Sequence, residues 1–256
     1  GDVLLVRLLR SRGGDIVSAV DKFQQMLAWR REHGVAEVRQ AILDNDYSFA
    51  TLPGSAELQE LWPFNMWIDG HQGGHIVSLL MWGRVDTKKL LATVSVEAFT
   101  RTVIFLSELR SMLLDTKSRQ ERNVVSFRLV VDGKGGGLVH RKLQPYVTAF
   151  TNINRTGYRG EVLRHPLMFA TRVGPVARTI YAVLKPFITH AVVRDTVLLS
   201  DNVDAQSKLR ASIPVDRLPA FLGGEYASED PDDSCLRARH RPFSAMAGNA
   251  NDHPVN

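Results

Sequence analysis

Three places in this sequence hold residue types that could do chemistry. Asp132-Gly133-Lys134-Gly135-Gly136-Gly137 follows an apolar stretch and precedes a helical one, where a glycine-rich loop can turn backbone N–H groups toward a phosphate. It lacks both the Gly-Lys-Ser/Thr ending of a P-loop and the full G-x-G-x-x-G spacing, so a flexible turn is the expectation. Asp69, His71 and His75 are ligand types that suit zinc. They sit around the turn glycines Gly70, Gly73 and Gly74 without a fourth ligand or a rigid element, and the expected metal is none. Glu161 stands among Arg155, Arg159 and Arg164 at helix-turn spacing, a pattern that by itself describes an ion-pair network on a helix. The other histidines are scattered and the only cysteine, Cys235, lies in a polar tail, so no Ser-His-Asp or Cys-His arrangement can be assembled.

The elements that would position these residues alternate. Leu4 to Arg12 and Asp15 to His33 read as two helices, joined at Gly13-Gly14 with Asp15 as N-cap and Gly34 as stop. Val35 to Leu43 adds a third, and Asn45-Asp46 with Leu52-Pro53-Gly54 marks a connection. His75 to Trp82 is an apolar run of strand length. Phe99, Val103, Leu106, Leu109 and Leu113 then fall at the three- and four-residue steps of a long amphipathic helix over Val94 to Leu114. Further strands are expected at Val124 to Val131, Pro166 to Thr171 and Thr196 to Ser200, with helices at Leu143 to Asn152, Gly160 to Arg164 and Pro175 to Val193, the last broken at Pro186. Strands alternating with helices argue an α/β sheet with a parallel portion.

With 256 residues, 44% of them hydrophobic, the chain can bury one sizeable core. It has no run of about 18 apolar residues and no signal-peptide plan at its start. A single cysteine allows no internal disulfide, and a reducing, cytoplasmic setting is expected. The net charge of +5 is uneven: Arg141 to Asp195 holds nine basic residues against Glu161 and Asp195. Such a segment attracts anionic lipid, acidic protein or nucleic acid; no nucleic-acid motif accompanies it, and no nucleic-acid partner is expected. The tail from 227 to 256 lacks apolar periodicity and is expected to be disordered.

Two separated stretches carry a resemblance. Leu5-Val6-Arg7-Leu8-Leu9-Arg10-Ser11-Arg12 with Asp15-Ile16 and Trp29-Arg30-Arg31, and then Lys185-Pro186-Phe187 followed by Ile213-Pro214-Val215-Asp216-Arg217-Leu218-Pro219-Ala220-Phe221-Leu222-Gly223-Gly224, resemble in order and spacing the signatures of the CRAL-TRIO lipid-binding family of phosphatidylinositol- and tocopherol-transfer proteins. The resemblance implies a CRAL-TRIO-like mixed α/β sheet with helices enclosing a lipid pocket over residues 46–226, preceded by a partial N-terminal helical cap over residues 1–45. It implies a non-catalytic carrier without a cofactor that binds a phospholipid, phosphatidylinositol-like, or another hydrophobic ligand, and moves it between membranes by transient contact with an anionic surface, as a cytoplasmic, peripherally membrane-associated monomer. The family also has an Asp and a Gly at the strand end where this chain has Asp132-Gly133, which favours the turn reading there.

By the same resemblance, the pocket is expected to be lined by Leu79, Met81, Phe127, Leu129, Met168, Phe169, Ile180, Leu184 and Phe187. Headgroup candidates are Arg7, Arg10, Arg12, Glu161 and Arg194; the gate and hinge fall at Lys185, Pro186, Gly223 and Gly224. Two departures stand out. Ten residues beyond Lys185, where the family has a headgroup Lys, this chain has Asp195 beside Arg194. The Ser and Thr used for phosphatidylcholine are replaced by Phe127 and Leu129, which makes that part of the pocket more apolar and suits a sterol, tocopherol-like or retinoid ligand. The alternative is a non-catalytic scaffold that binds a small GTPase or localises a larger protein. An enzyme reading, through the Gly-rich turn or the Asp69/His71/His75 set, ranks last. Leu184→Asp places a carboxylate on the gate's apolar face and should abolish lipid copurification, measured by extraction and mass spectrometry of the purified chain.

Overall fold

The computed structural model describes residues 2–67, 75–135, 141–158, 168–174 and 196–199, then 207, 209–211, 213, 215, 218, 220–225 and 242–247. At the N-terminus the capping signals act as their chemistry requires. Helix α1 (Asp2–Ser11) ends in the Gly13-Gly14 turn, both glycines at positive φ, and the Asp15 carboxylate accepts the Ser18 N–H at 3.1 Å to start α2 (Ile16–Glu32). Gly34, at φ +59, turns the chain into α3 (Val35–Asn45). A short α4 (Ser55–Leu61) and strand β1 (Phe64–Trp67) follow, neither of which stood out in the sequence.

The sheet has five strands in sequence order: β1, β2 (His75–Leu80), β3 (Ser126–Asp132), β4 (Met168–Thr171) and β5 (Thr196–Leu199). β1 pairs antiparallel with β2; β2 to β5 are parallel. The mixed α/β expectation therefore holds. The anticipated strand ends two residues early, because Trp82–Arg84 closes into a one-turn 3₁₀ helix. Between β2 and β3 run α5 (Thr87–Thr93) and α6 (Val96–Gln120), and between β3 and β4 lies α7 (Gln144–Asn152), continued by a π-helical turn at Ile153–Gly157. A 3₁₀ turn precedes α7 at Arg141–Leu143 and another lies at Ala220–Leu222; a short α8 (Phe243–Ala247) corrects the expectation of a wholly disordered tail, since its Met246 is buried in the core.

Helix α6 carries the core. Ser95 caps it by accepting the Ala98 N–H at 3.1 Å. Glu97 in its first turn is held below the usual carboxylate range by its own backbone N–H and the Ser95 hydroxyl. Phe99, Val103, Leu109 and Leu113 are buried as their spacing demands, but so are Ile104, Phe105, Met112 and Leu114, because α1, α3, α4, α7, α8 and the sheet surround the helix. One apolar cluster joins Val35, Val38 and Ile42 of α3 to this helix and to Phe127 of β3.

Arg7 ties α1 into that core. Its side chain is 0% exposed; Nη1 donates to Asp115 Oδ1 at 2.6 Å, Nη2 to Ser118 Oγ at 2.9 Å and Nε to the Val125 carbonyl at 3.1 Å. Arg7 spans from α1 to both α6 and the entry of β3. Its place among the headgroup candidates is thereby corrected: the guanidinium is consumed by protein acceptors inside the fold. Breaking a buried pair strands the partner groups, and Asp115 is only partly exposed, so Arg7→Ala should cost about 3 kcal/mol, read as the shift in urea-unfolding free energy.

Candidate functional site

The parallel register decides which side chains meet. Leu79, Val130 and Phe169 are cross-strand partners on one face of the sheet; Ser78 and Leu129 form the neighbouring row, directed to the other face by the alternation of strands. The first face is covered by Leu209, Ile213, Leu218 and Leu222, and Met81 joins it. The second packs with Phe127, Leu129 and Leu80 against the α6 cluster. The nine anticipated lining residues are thus not one wall. Leu79, Met81 and Phe169 lie behind the sheet from Phe127 and Leu129, because a period of two sends Val130 and its neighbours in β3 to opposite faces. Ile180, Leu184, Phe187, Lys185, Pro186, Glu161 and Arg194 lie outside the described residues, as does the Met168 side chain.

On the α6 face, Phe127 is buried beneath a cation. The Arg110 guanidinium sits 4.3 Å from the Phe127 ring centroid, and its Nη2 donates to Asn154 Oδ1 at 3.0 Å. Asn154 in turn donates to the Phe150 carbonyl at 2.8 Å. Leu129, two residues on, is only partly buried. The β3 positions singled out in the sequence therefore differ: Phe127 is buried under Arg110, whereas Leu129 is partly exposed at the edge of the core.

The other candidates separate by environment. Arg10 is exposed on α1. Arg12 is half-buried, and its Nε is excluded from solvent with no hydrogen-bond acceptor; among the described residues it is the one buried side-chain nitrogen or oxygen in that state. Gly223 adopts φ +83, and a Cβ on Gly224 would overlap the Leu218 carbonyl, so the return after the 3₁₀ turn needs glycine at both positions. Asp132 is not turned toward a phosphate: its carboxylate is paired with Arg172, Nε to Oδ1 at 2.8 Å. Asp69 and His71 lie outside the described residues, among which no three His, Cys, Asp or Glu side chains gather as a metal site and no single helix is long and apolar enough to cross a membrane.

Sequence reasoning missed a charged cluster at the cap. Glu108, in the middle of α6, is 0% exposed and accepts from Arg30 Nη2 at 3.0 and 2.8 Å, with Arg39 Nη1 3.5 Å away. Arg30 also lies over the Tyr158 ring at 5.1 Å, and Trp29 stacks on His33 at 4.1 Å. The one available signal was a glutamate set within the apolar stretch of α6. An open groove of about 700 Å³ between α3 and the first half of α6, lined by Val38, Ala41, Glu97, Arg101 and Phe105 among others, shares no residue with the anticipated pocket.

The contrast within β3 is measurable. Phe127→Ser removes a buried ring and should cost about 3–4 kcal/mol, whereas Leu129→Thr at a partly exposed strand position should cost about 1 kcal/mol or less. Urea unfolding of the two variants reads the difference.

The model of the CRAL/TRIO domain matches residues 65–224, which reach all five strands and end on Gly224. The chain is 26% identical to a CRAL-TRIO domain-containing protein of Caenorhabditis elegans over 232 residues, 87% of this chain and 30% of that protein. It is 24% identical to phosphatidylinositol/phosphatidylcholine transfer protein SFH9 of Arabidopsis thaliana over 248 residues, 94% of this chain and 40% of that protein. The chain thus spans less than half the length of these two curated relatives. The crystal structure of Sfh5 superposes with a TM-score of 0.64 at 21% identity, covering 94% of this chain and 77% of that one, and so shares the fold. Matched to that domain over more than half its length, from β1 through the paired glycines, the chain belongs to the CRAL/TRIO domain family.

Proposed function

We propose that this chain is a non-catalytic carrier that encloses one phospholipid or other hydrophobic ligand and exchanges it at a membrane surface. The observation that carries the reading is the match to the CRAL/TRIO domain, which reaches all five strands. The name of the Arabidopsis relative, a phosphatidylinositol/phosphatidylcholine transfer protein, supports a phospholipid among the candidate ligands. The ligand-facing side is the Phe127 and Leu129 face. Each methylene taken from water there contributes about 0.8 kcal/mol.

Phe127 and Leu129 offer no hydroxyl to a choline headgroup, which favours phosphatidylinositol or a wholly apolar ligand. Arg12 supports an anionic headgroup: a guanidinium N–H withdrawn from water with no acceptor is a position that an anionic oxygen would satisfy. Arg10, Glu161 and Arg194 remain its proposed companions, with Arg194 standing in for the missing Lys. A second reading, a scaffold that binds another protein, is favoured by one observation. Ile16 and Val17 of α2 are 68% and 81% exposed, and Val6 and Leu9 of α1 are exposed as well, apolar side chains that a protein partner would cover.

Native mass spectrometry with lipid extraction separates the readings. One stoichiometric lipid is expected, and, where that lipid is anionic, Arg12→Ala should lower its occupancy about tenfold or more. A folded chain without lipid would overturn the carrier reading in favour of the scaffold.

A further inference from the structure

At the C-terminal edge of the sheet, three chain segments converge on one side chain. β3 ends on Asp132, whose carboxylate is 2% exposed and accepts a bidentate pair from Arg172, Nε to Oδ1 at 2.8 Å and Nη2 to Oδ2 at 2.5 Å. The Lys134 N–H also donates to Oδ1 at 3.2 Å, and the Gly133 N–H donates to the Thr171 carbonyl at 2.9 Å, so the exits of β3 and β4 are knotted together. Arg172 itself is left-handed at φ +51, an unfavourable backbone for a side-chain-bearing residue that persists only where its surroundings hold it. The free face of the guanidinium lies over the Phe221 ring at 4.4 Å. Phe221 belongs to the Ala220–Leu222 turn, whose Leu222 packs with Leu79, Val130 and Phe169. Beyond it the Gly223 N–H bonds the Ala220 carbonyl and the Glu225 N–H bonds the Val215 carbonyl at 2.8 Å.

We infer that Arg172 is a positioning residue: a clamp that holds the Ala220–Leu222 turn and the Gly223-Gly224 return against the ends of β3 and β4. Its two halves have different chemistry. The fork toward Asp132 needs a planar, bidentate cation, and the stack on Phe221 needs a flat, weakly hydrated one; arginine supplies both and lysine neither. Because one guanidinium makes both contacts, the return and the strand exits loosen together. The consequence for ligand release rests on the carrier reading: a return held by Arg172 slows the opening that lets the ligand leave. The coupling itself does not depend on that reading.

Hydrogen exchange on peptides spanning 220–225 tests the clamp in the full chain. Arg172→Lys keeps the charge beside Asp132, and Phe221→Leu keeps the apolar packing, so both should fold. Each is expected to raise exchange in that peptide about three- to tenfold, and the double variant should exceed the larger single by no further factor. Exchange unchanged in either single, or multiplied in the double, or raised equally in peptides of α2 and α6, would overturn the clamp. Retention of phosphatidylinositol by the purified protein in the presence of phosphatidylcholine vesicles supplies the second readout. It should shorten in Arg172→Lys by a similar factor; unchanged retention overturns the role in release. A wild-type chain that retains no lipid overturns the carrier reading, and the exchange comparison still decides the clamp.

Discussion

A carboxylate with no exposed surface, Glu108 in the middle of α6, constrains everything around it. Taken from water alone, an ionised carboxylate costs several kcal/mol, and its burial is tolerable only where cations and hydrogen bonds replace the lost solvent. Those cations come from the cap: Arg30 of α2 reaches both oxygens and Arg39 of α3 approaches one. The Trp29-Arg30 pair that marks the family signature therefore has a structural task. Trp29 packs on Tyr158 while a Cβ at Gly157 would overlap its ring, so the π-helical turn after α7 can close only on glycine there.

From this contact the rest of the architecture follows. With α2 fixed to α6 through Glu108 and α1 fixed to α6 and β3 through Arg7, the helices of the cap share the core of the sheet domain. α6 then serves as the wall on one side of the sheet, reinforced by the Tyr146 hydroxyl donating to the Val94 carbonyl at 2.6 Å and by the aromatic packing of Trp62, Phe99 and Tyr146. The other side is closed by a smaller apolar cluster from the 209–222 stretch. A five-stranded sheet with two unlike coverings results: one built by a long, polar-anchored helix, the other by a short segment held down at the sheet's edge by Arg172.

This asymmetry bears on function. On the proposed carrier reading, a site that admits and releases a hydrophobic ligand needs one rigid wall and one that moves. The Glu108 and Arg7 networks make the α6 and cap framework the rigid part. Among the described residues of the basic 141–195 stretch, Arg172 is tied to Asp132. Exposed Ile16 and Val17 add an apolar corner to the cap, on a molecule whose relatives are longer proteins.

The alternation of the longer helices with strands β2 to β5, the Asp15 and Gly34 boundaries and the first five turns of α6 were legible in the residues, because they depend on local periodicity and capping chemistry that each segment carries within itself, whereas β1, α4, α5 and the extension of α6 to Gln120 were not. The family was legible for the same reason, as two runs of residues in a set order. Which wall a side chain joins was not. Leu79 and Phe127 read alike as apolar strand residues, and only the parallel register, which pairs Leu79 with Val130 and sets Phe127 one face away, separated them. Arg7 looked like a free cation on an amphipathic helix; its acceptors lie more than a hundred residues on, at Asp115, Ser118 and Val125. Glu108 was likewise an ordinary acid in the chain, and Asp132 was read only as the start of a glycine-rich turn; both became fixed points of the fold, since the burial that forces a charge to find its partner is created only when distant segments close over it.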